Sequence, residues 1–357
     1  MRSAPDKKLI YHMNPPEVTQ YEKLPTLADV ARHANVSTAT VSRCLNTPDA
    51  VVGDTRERVM QAVRDLGYTP NFSARALAAK RTNTIGAVIP TMENAVFARG
   101  VQAFQEELVR HGKTLLIASS AYSEVLEEEQ VRTLVARGAD ALLLIGYHRS
   151  QEIYEFLKKR SVPTLVSWSY DPVQEQTAIG FDNEKAMAEL ARLVIAQGHR
   201  QIACISAPIA ANDRARARVD GIRLAMSEAG LDAGPLVLIQ TPYSIENGEQ
   251  AFRKALAMAP GTTAVMCVND VLAIGALRAA KEMVMRVPED VSVTGFDDIE
   301  IALLAEPALT TVHVPHREMG RRAAKMLIDM VESRAACSSV ELMTYIQVRK
   351  SLGPSRS

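Results

Sequence analysis

The sequence has little of what metal centres, disulfide scaffolds and membrane anchors require. Four of its 357 residues are cysteines, at positions 44, 204, 267 and 337, and they form no C-x-x-C pair. This spacing disfavours a zinc site and a disulfide framework, and we predict neither a metal nor a cofactor. No apolar run approaches the ~18 residues of a membrane-spanning helix. The first 24 residues place charges and Pro15-Pro16 where a signal peptide is apolar. We therefore expect a soluble, cytoplasmic protein without membrane association.

Common signatures of enzyme active sites are also absent from the sequence. It contains no G-x-x-x-x-G-K-[ST], G-x-S-x-G or H-E-x-x-H motif, and no G-x-G-x-x-G that opens a helix. Its seven histidines are spread along the chain, with only His313 and His316 close together. With 47% apolar and 23% charged residues, the chain is globular, and its length suits two or three domains. We expect a protein that is not an enzyme and has no catalytic residues.

The net charge of zero hides an uneven distribution along the chain. Residues 25–81 contain eight basic and five acidic residues, a net charge of +3, and the first 24 residues add +1. The remaining 276 residues contain 29 basic and 33 acidic residues, a net charge of −4. A small basic module ahead of a large, mildly acidic body is compatible with nucleic-acid binding, although charge alone does not establish it.

The basic module has the pattern of a helix-turn-helix. Thr26 is a suitable N-cap with Asp29 three residues later, and four apolar residues follow at helical spacing between positions 27 and 34. Asn35 tolerates the left-handed conformation that ends a helix, and Ser37 can cap a second helix only two residues later. Two short helices with so tight a turn must cross at a steep angle.

The second helix has one face suited to a core and one suited to DNA. Val41 and Leu45 are predicted to be buried. Four residues remain on the outer face, near the N-terminal end: Thr38, Ala39, Ser42 and Arg43. Small and hydroxyl side chains let a helix lie deep in a major groove, where an arginine can bind a guanine edge with two hydrogen bonds. The alternative is a solvated surface that includes one ordinary arginine.

A third helix and a marginal helical segment complete the module. Asp54 and Glu57 are predicted to form an acidic cap on the third helix, and Gly67 to end it. Residues 71–80 are rich in helix formers, but a decapeptide is too short to be a stable helix in water. The segment is either an alanine-rich interdomain linker or a helix ordered only when docked, for instance against a partner chain and DNA.

A series of motifs runs without gaps over more than 50 residues of this module. It comprises Thr26-Leu27-Ala28-Asp29-Val30-Ala31, Asn35-Val36-Ser37, Thr40-Val41-Ser42-Arg43, Asn46, Thr55-Arg56, Leu66-Gly67-Tyr68, Pro70-Asn71 and Ala76-Leu77. The series resembles the headpiece of the lactose-repressor (LacI/GalR) family of transcription regulators. A match of this length is far more specific than a generic helix-turn-helix.

The resemblance implies which residues contact DNA. Thr38, Ala39 and Arg43 would contact bases in the major groove, and Leu77 of paired hinge helices would wedge into the minor groove and kink the operator. Residues 71–80 would then act as a switch, because they fold only when two chains are held close over DNA. The residues that we predict to contact DNA are Thr26, Ser37, Thr38, Ala39, Thr40, Ser42, Arg43, Asn46, Asn71, Ala74 and Leu77.

From residue 85 onward, short apolar runs alternate with amphipathic stretches. The predicted strands are 85–89, 114–118, 141–145 and 163–166, then 201–205, 236–240, 264–268 and 291–294. This spacing suits β-α units, which imply parallel sheets with helices on both faces. Two such series predict two doubly wound α/β lobes, with a ligand cleft between them at the carboxyl ends of their strands. The resemblance implies a periplasmic-binding-protein-like core, whose three crossings between lobes we place near residues 178, 309 and 337.

The expected domain organisation follows from these patterns. It comprises a disordered extension (1–24), a helix-turn-helix domain (25–70), a hinge helix and linker (71–84), a two-lobed effector-binding and dimerisation domain (85–348) and a tail (349–357). After the last strand-like segment, 341–348, there is no room for the heptad tail with which the family's namesake forms tetramers. We therefore expect a homodimer that binds a pseudo-palindromic operator, with half-sites about one turn apart.

Polar residues fall where the strands of such a core end. The predicted effector-binding residues are Phe97, Trp168, Asp182, Arg218, Asn269 and Asp297, of which the resemblance implies Arg218, Asn269 and Asp297 most directly. A guanidinium beside hydrogen-bond acceptors suits a polyol, and it can also bind a carboxylate. Two alternatives remain open. Asp182 and Asp270 are equally good helix caps, and Trp168 either stacks on a sugar ring or fills the core.

Two stretches bear on the effector. Residues 90–98 and 180–183 resemble gluconate regulators within the family, which hints at a sugar acid. We expect a ligand-responsive repressor of carbohydrate or sugar-acid genes whose effector is a sugar or sugar acid. The rival interpretation, an exported sugar-binding protein, is disfavoured by the headpiece and by the N-terminal sequence.

Overall fold

The computed structural model describes residues 24–69, 81–93, 95–231, 236–333 and 337–356. The chain divides into two compact units, Met1–Ala78 and Ala79–Ser357, and each is described by itself. Within the described ranges, no helix is both long and apolar enough to cross a membrane.

The small unit is a helix-turn-helix followed by a third helix. Its helices are α1 (Leu27–His33), α2 (Thr38–Asn46) and α3 (Gly53–Leu66), with a 3-10 turn at Pro48–Ala50. Thr26 caps α1 in a reciprocal capping box with Asp29. Ser37 caps α2 by accepting a hydrogen bond from the N–H of Thr40 at 3.1 Å, and Asn35 in the turn has a φ of 53°. These local predictions are confirmed.

The third helix begins differently from the prediction. Its N-cap is Val52, and no side chain accepts a hydrogen bond there, so the predicted cap by Asp54 and Glu57 is wrong. Asp54 lies in the first turn, where its charge is favoured by the positive end of the helix dipole. Gly67 ends the helix with a left-handed φ of 60°, as predicted.

Small side chains form the core of this unit. Val30, Val41 and Val59, one from each helix, have no exposed surface. Cys44 is buried beside them, whereas Leu45, predicted for the core, is only half-buried. Cys44 follows Val41 by three positions and therefore lies on the same face of α2.

The large unit alternates strands and helices along most of its length. The strands are β1 (Thr84–Ile89), β2 (Thr114–Ser119), β3 (Ala141–Ile145), β4 (Thr164–Ser167), β5 (Ala178–Gly180), β6 (Ile202–Ser206), β7 (Val237–Gln240), β8 (Ala264–Cys267), β9 (Ser292–Thr294), β10 (Thr311–His313), β11 (Val340–Glu341) and β12 (Tyr345–Gln347). The helices are α4 (Ala95–Arg110), α5 (Glu124–Ala136), α6 (Gln151–Lys159), α7 (Asn183–Ala196), α8 (Asp213–Glu228), α9 (Ile245–Met258), α10 (Asp270–Glu282), α11 (Glu300–Leu304) and α12 (His316–Ser333). The bounds of the eight predicted strands agree with these to within one residue.

The first lobe is a parallel sheet of six strands in the order β11-β5-β4-β3-β1-β2. Helices α4 and α12 pack on one face of this sheet and on each other. Buried residues of α5 and α6 pack on the other face, against Val88, Leu142 and Leu144. Successive side chains of a strand point to opposite faces, so a strand covered on both sides is apolar throughout.

The second lobe is a parallel sheet in the order β7-β6-β8-β9, and its helices pack in the pairs α7 with α8 and α9 with α10. Residues 349–355, predicted as a tail, pack on this lobe. Ser351 is fully buried and donates from its Oγ to the carbonyl oxygen of Val293 at 2.6 Å. The predicted doubly wound architecture is confirmed in both lobes.

Three crossings connect the lobes. The chain leaves the first lobe after β5, returns to it after β10, and leaves again between β11 and β12. Strands β10 and β12 pair antiparallel, with Val312 opposite Ile346. The crossing predicted near 178 agrees with this path, whereas the second lies at 314–315 rather than near 309 and the third at 342–344 rather than near 337. It also divides the predicted segment 341–348 between two sheets.

Candidate DNA-reading surface and effector cleft

The outer face of α2 exposes most of the side chains predicted to contact DNA. Six of these residues are exposed: Thr26, Ser37, Thr38, Ala39, Arg43 and Asn46. The other two, Thr40 and Ser42, are half-buried. Neighbouring hydroxyls orient one another: Oγ of Ser37 lies 2.9 Å from Oγ1 of Thr40, and Nδ2 of Asn46 donates to Oγ of Ser42 at 3.2 Å. The predicted hinge contacts Asn71, Ala74 and Leu77 lie outside the described residues, and their roles stay predictions.

Arg43 differs from the other arginines of residues 24–69. Three of the others form ion pairs with aspartates and one donates to a glutamine: Arg32, Arg56, Arg58 and Arg64. The guanidinium of Arg43 has no hydrogen bond or ion pair with another described residue. Ala39, one turn earlier, leaves room beside it. None of its five N–H donors is used by the described residues, so they can bind an external acceptor.

In the large unit, a narrow recess lies between the lobes at the carboxyl ends of their strands, and Arg218 of α8 is its central side chain. Its Nε donates to Oδ1 of Asn183 at 2.8 Å, and its Nη1 to the carbonyl oxygen of Val268 at 2.7 Å. Its Nη2 lies 3.4 Å from Oδ1 of Asp297, and the guanidinium lies 3.8 Å from the centre of the Phe296 ring. Three N–H groups are used in this way, which leaves two for a ligand.

Asp297 gives the recess a hydrogen-bond acceptor. Burial raises its pKa to about 6, although the charge of Arg218 opposes this effect. Its φ of 108° is in the left-handed region, which a non-glycine residue rarely adopts. Its Oδ1 faces Arg218, and the residue lines the recess, so its carboxylate is placed to accept a hydrogen bond from a ligand as well.

Aromatic side chains form the inner wall of the recess. Trp168 is 1% exposed, and its Nε1 donates to Nδ1 of His316 at 3.2 Å. The ring centroids of Phe97 and Trp168 are 5.5 Å apart. Burial lowers the pKa of His316 to about 3, so its ring is neutral, and its Nε2 lies 3.2 Å from the carbonyl oxygen of Asp297. Trp168 thus belongs to the core of the first lobe and also lines the recess.

The side-chain amide of Asn269 is buried, and only its oxygen forms a hydrogen bond with a described residue. It caps α10, because its Oδ1 accepts a hydrogen bond from the N–H of Leu272 at 2.9 Å. Its Nδ2 is buried in the recess and has no hydrogen-bond partner among the described residues. A buried donor without a partner destabilises a protein unless water or a ligand accepts its hydrogen bond.

Two other acids considered for the cleft bind their own backbone or neighbours. Asp182 caps α7 by accepting from the N–H of Lys185 at 2.9 Å, and it does not line the recess. Its neighbour Asn183 contacts Arg218 instead. Asp270 accepts from Oγ1 of Thr311 at 2.6 Å and from the N–H of Ile299, so it braces the second lobe.

The recess, about 20 Å³, opens into an outer cavity of about 440 Å³. The outer cavity is lined by Thr91, Glu93, Ala121, Tyr122, Ala207, Pro208, Ala211, Asn212, Pro242, Tyr243 and Val271. Tyr122, Asn212 and Tyr243 line both spaces, and the two tyrosine rings are 5.8 Å apart. Its volume is within the range of small-molecule sites, whereas the recess has room for about one water molecule.

The start of α8 fastens the two lobes to each other. Oδ2 of Asp213 accepts a hydrogen bond from the N–H of Tyr147 at 2.6 Å, and Nη1 of Arg214 donates to the carbonyl oxygen of Ile145 at 3.0 Å. Partial burial raises the pKa of the half-buried Asp213, but the charge of Arg214 and the Tyr147 N–H outweigh this and hold its pKa below the usual value. Gly146, with a φ of 71°, lies so close that a Cβ there would overlap the Arg214 guanidinium.

Comparison with known proteins decides the family. The sequence profile of bacterial regulatory proteins of the lacI family matches residues 26–71, and that of the periplasmic binding protein-like domain matches residues 191–352. The HTH-type transcriptional repressor CytR of Escherichia coli (strain K12) is 31% identical over 322 residues, 90% of this chain and 94% of that protein. The chain belongs to the lacI family.

Solved structures agree with membership of the lacI family. The Lac repressor dimer bound to operator and the anti-inducer ONPF has a TM-score of 0.82 at 27% identity, covering 93% of this chain and 100% of that one. The transcriptional regulator CelR in complex with cellobiose has a TM-score of 0.68 at 30% identity, covering 92% and 99%. The predicted fold and family are confirmed, and this lacI-family chain is a DNA-binding transcriptional repressor rather than an enzyme.

Sequence reasoning did not select several residues that this lacI-family cleft brings together. They are Phe296 beside Arg218, Tyr122, Asn212 and Tyr243 at the neck where the recess meets the outer cavity, and Gly146 where the lobes meet. Each lies within seven residues of the carboxyl end of a strand. Ligands of such sheets bind at the carboxyl ends of the strands, so a search of the residues after every strand could have found them. The sequence analysis considered only the polar residues of familiar motifs.

Proposed function

We propose that this repressor acts as a homodimer on a pseudo-palindromic operator and responds to a hydroxyl-bearing small molecule, a sugar or sugar acid, bound between its lobes. The unpartnered amide of Asn269, next to the Arg218–Asp297 pair, carries the effector part of the proposal. A polyol hydroxyl both donates and accepts hydrogen bonds, and so can satisfy this amide and the carboxylate of Asp297 together. Solved relatives that hold cellobiose and ONPF support a ligand of this kind.

The DNA part of the proposal rests on the outer face of α2. Thr38 and Ala39 are small enough for α2 to lie close to base edges, and the unpartnered Arg43 has donors for a guanine. One such helix gives too few base contacts for a unique site, so two chains contact half-sites about one turn apart. The hinge residues Asn71, Ala74 and Leu77 contact the operator centre in this scheme. Because chromosomal operators lie in the cytoplasm, the repressor acts there.

Effector binding changes operator affinity by favouring one of two arrangements of the lobes. A ligand that bridges Asn269 of the second lobe and the neck residue Tyr122 of the first has a different affinity for open and closed cores. Such a difference is what shifts a two-state equilibrium. The contacts of Asp213 and Arg214 with the first lobe belong to the closed arrangement.

The test begins with the operator and then addresses the effector. Duplexes are selected from a random pool with the full-length protein, and sugars and sugar acids are screened for a change in affinity for the selected duplex. Asn269→Ser keeps a side-chain oxygen to cap α10 but removes the free amide. We expect this variant to bind the duplex normally and to lose most of its response to the effector.

Asp182→Ser is the matched control, because it also exchanges an N-cap residue for serine but lies outside the cleft lining. It should respond to the effector like the parent protein. No enrichment of a palindromic duplex would contradict the DNA part of the proposal. An undiminished response of Asn269→Ser, or an equal loss in Asp182→Ser, would contradict the effector part.

A further inference from the structure

Resting on the proposed function, we infer that helix α12 transmits the arrangement of the lobes towards the DNA-binding module, and that Arg81 is the positioning residue through which it does so. One end of α12 lies at the cleft, and the other contacts the segment by which the chain enters the first lobe.

The start of α12 is bound to both lobes. The second crossing, 314–315, continues directly into His316, the first residue of the helix. Nδ1 of His316 accepts a hydrogen bond from Nε1 of Trp168 in the first lobe, and its Nε2 donates to the carbonyl oxygen of Asp297 in the second lobe, both at 3.2 Å. Because burial keeps the ring neutral, one nitrogen accepts while the other donates, so both bonds form at once. A movement of the second lobe therefore acts on the first turn of α12.

The length and packing of α12 make it a stiff connection. Its 18 residues span about 27 Å. Gly320 packs so closely on α4 that a Cβ there would overlap the backbone of Gly100. Closely packed interiors are barely compressible and pass on strain, so a displacement at the start of α12 reaches its end.

The last turn of α12 holds the segment by which the chain enters the first lobe. Nη2 of Arg81 donates to the carbonyl oxygen of Val331 at 3.0 Å and so satisfies one of the carbonyls left free at a helix C-terminus. Nζ of the buried Lys113 lies 3.0 Å from Oε1 of Glu332 and donates to Oδ1 of Asn83, also at 3.0 Å. Both cations are also favoured there by the negative end of the helix dipole.

The residue after Arg81 is held by a different part of the first lobe. The N–H of Thr82 donates to Oδ1 of Asp140 at 3.1 Å, and its Oγ1 donates to the carbonyl oxygen of Gly138 at 2.6 Å. Two adjacent residues are thus bound to α12 and to the turn before β3. A shift of α12 relative to this turn must rotate the backbone between Arg81 and Thr82. Residues 71–80 directly precede Arg81 in the sequence, so the rotation is passed along the chain towards the DNA-binding module.

The test opens the lobes by a substitution and therefore needs no effector. Gly146→Ala separates the lobes, because its Cβ would overlap Arg214. We expect it to change the dissociation constant for the selected duplex about 5-fold to 150-fold, measured by fluorescence anisotropy at one salt concentration. In the Arg81→Ala background, this change should be about 2-fold to 30-fold smaller. Because two dissociation constants are compared in each background, any direct attraction of Arg81 to DNA cancels.

Arg137→Ala is the matched control. Arg137 is exposed beside Gly138, and its side chain forms no hydrogen bond or ion pair with a described residue. Its removal takes the same charge from the same region without touching α12, so Gly146→Ala should have its full effect in this background. Arg81→Lys keeps a cationic donor for the Val331 carbonyl and should preserve more of the effect than Arg81→Ala. Circular dichroism shows that each variant is folded.

The inference is overturned if Gly146→Ala acts as strongly with Arg81→Ala as in the parent, or if Arg137→Ala weakens its effect equally. It is also overturned if Gly146→Ala separates the lobes in small-angle scattering without changing operator affinity, since α12 then transmits nothing. In each case the proposed function is judged separately. Its DNA part stands if the protein selects a palindromic duplex, and its effector part stands if Asn269→Ser loses the response to the sugar or sugar acid found in the screen.

Discussion

Arg43→Ala tests the assignment of the DNA-reading surface. The guanidinium is exposed and has no partner among the described residues, so its removal should leave the fold of the small unit unchanged. One arginine–guanine contact with two hydrogen bonds contributes ~1–3 kcal/mol. A dimer carries two copies at distant sites, which gives ~2–6 kcal/mol if the two losses add. The expected loss of operator affinity is therefore about 30-fold to 20,000-fold.

Fluorescence anisotropy of the selected duplex, at one fixed salt concentration, measures this loss. Arg64→Ala is the matched control, because it removes one exposed positive charge from α3 while the face of α2 stays intact. The control should weaken binding only slightly and equally for all sequences, since it reports the general attraction to phosphates. Arg43→Ala should in addition reduce discrimination between the operator and duplexes changed at one base pair. Affinity within about twofold of the parent, or an equal loss in both variants, would refute the assigned role.

Three further predictions concern the core. Arg218→Ala should destabilise the two-lobed unit by ~3–5 kcal/mol in denaturant unfolding, because it leaves the charge of Asp297 buried without a partner. The double variant with Asp297→Asn should regain part of the lost stability. A double variant as unstable as Arg218→Ala alone would contradict this explanation. Because the pKa of Asp297 is raised from 3.8 to about 6, the folded state holds a proton that the unfolded chain releases. The contribution of Asp297 to the free energy of unfolding should therefore fall by ~3 kcal/mol as the pH rises from below 3.8 to above 6. This contribution is measured as the difference in unfolding free energy between the parent and Asp297→Asn. A contribution that rises with pH would contradict the prediction. Gly146→Ala should separate the lobes, because its Cβ would overlap Arg214, and small-angle scattering should show a larger radius of gyration. Gly112→Ala is the control, since it has a similar φ of 64° and nothing near its Cβ, and it should leave the radius unchanged. Equal effects of the two variants would exclude the steric cause.

The helix-turn-helix could be predicted closely because its signals are local. The caps by Thr26 and Ser37 and the left-handed Asn35 each depend on a few neighbouring residues. The start of α3 could not be predicted in this way. Its N-cap, Val52, forms no side-chain hydrogen bond, and the nearby acids Asp54 and Glu57 gave a misleading signal.

The lobes were predictable for a different reason. A strand of a doubly wound sheet is apolar on both faces, so its bounds are visible in the sequence to within a residue. The third crossing could not be predicted, because it takes only three residues, 342–344, between β11 and β12. Neither the hydrophobicity nor the charge of the sequence changes there, so 341–348 looks like one strand. The contacts in the cleft depend on side chains far apart in sequence, such as Arg218 with Asn183 and Val268, and no local rule fixes them.

Helix α8 combines two tasks in a single rigid rod. Arg218, at the recess, and Arg214, at the junction of the lobes, are four positions and about one helical turn apart. Under the proposed function, a bound molecule that displaces the first side chain would therefore also move the second. Effector binding and loosening of the contacts between the lobes would then be one movement of α8. A relative in which ligand binding and lobe contact were independent would need an interruption of this helix between positions 214 and 218.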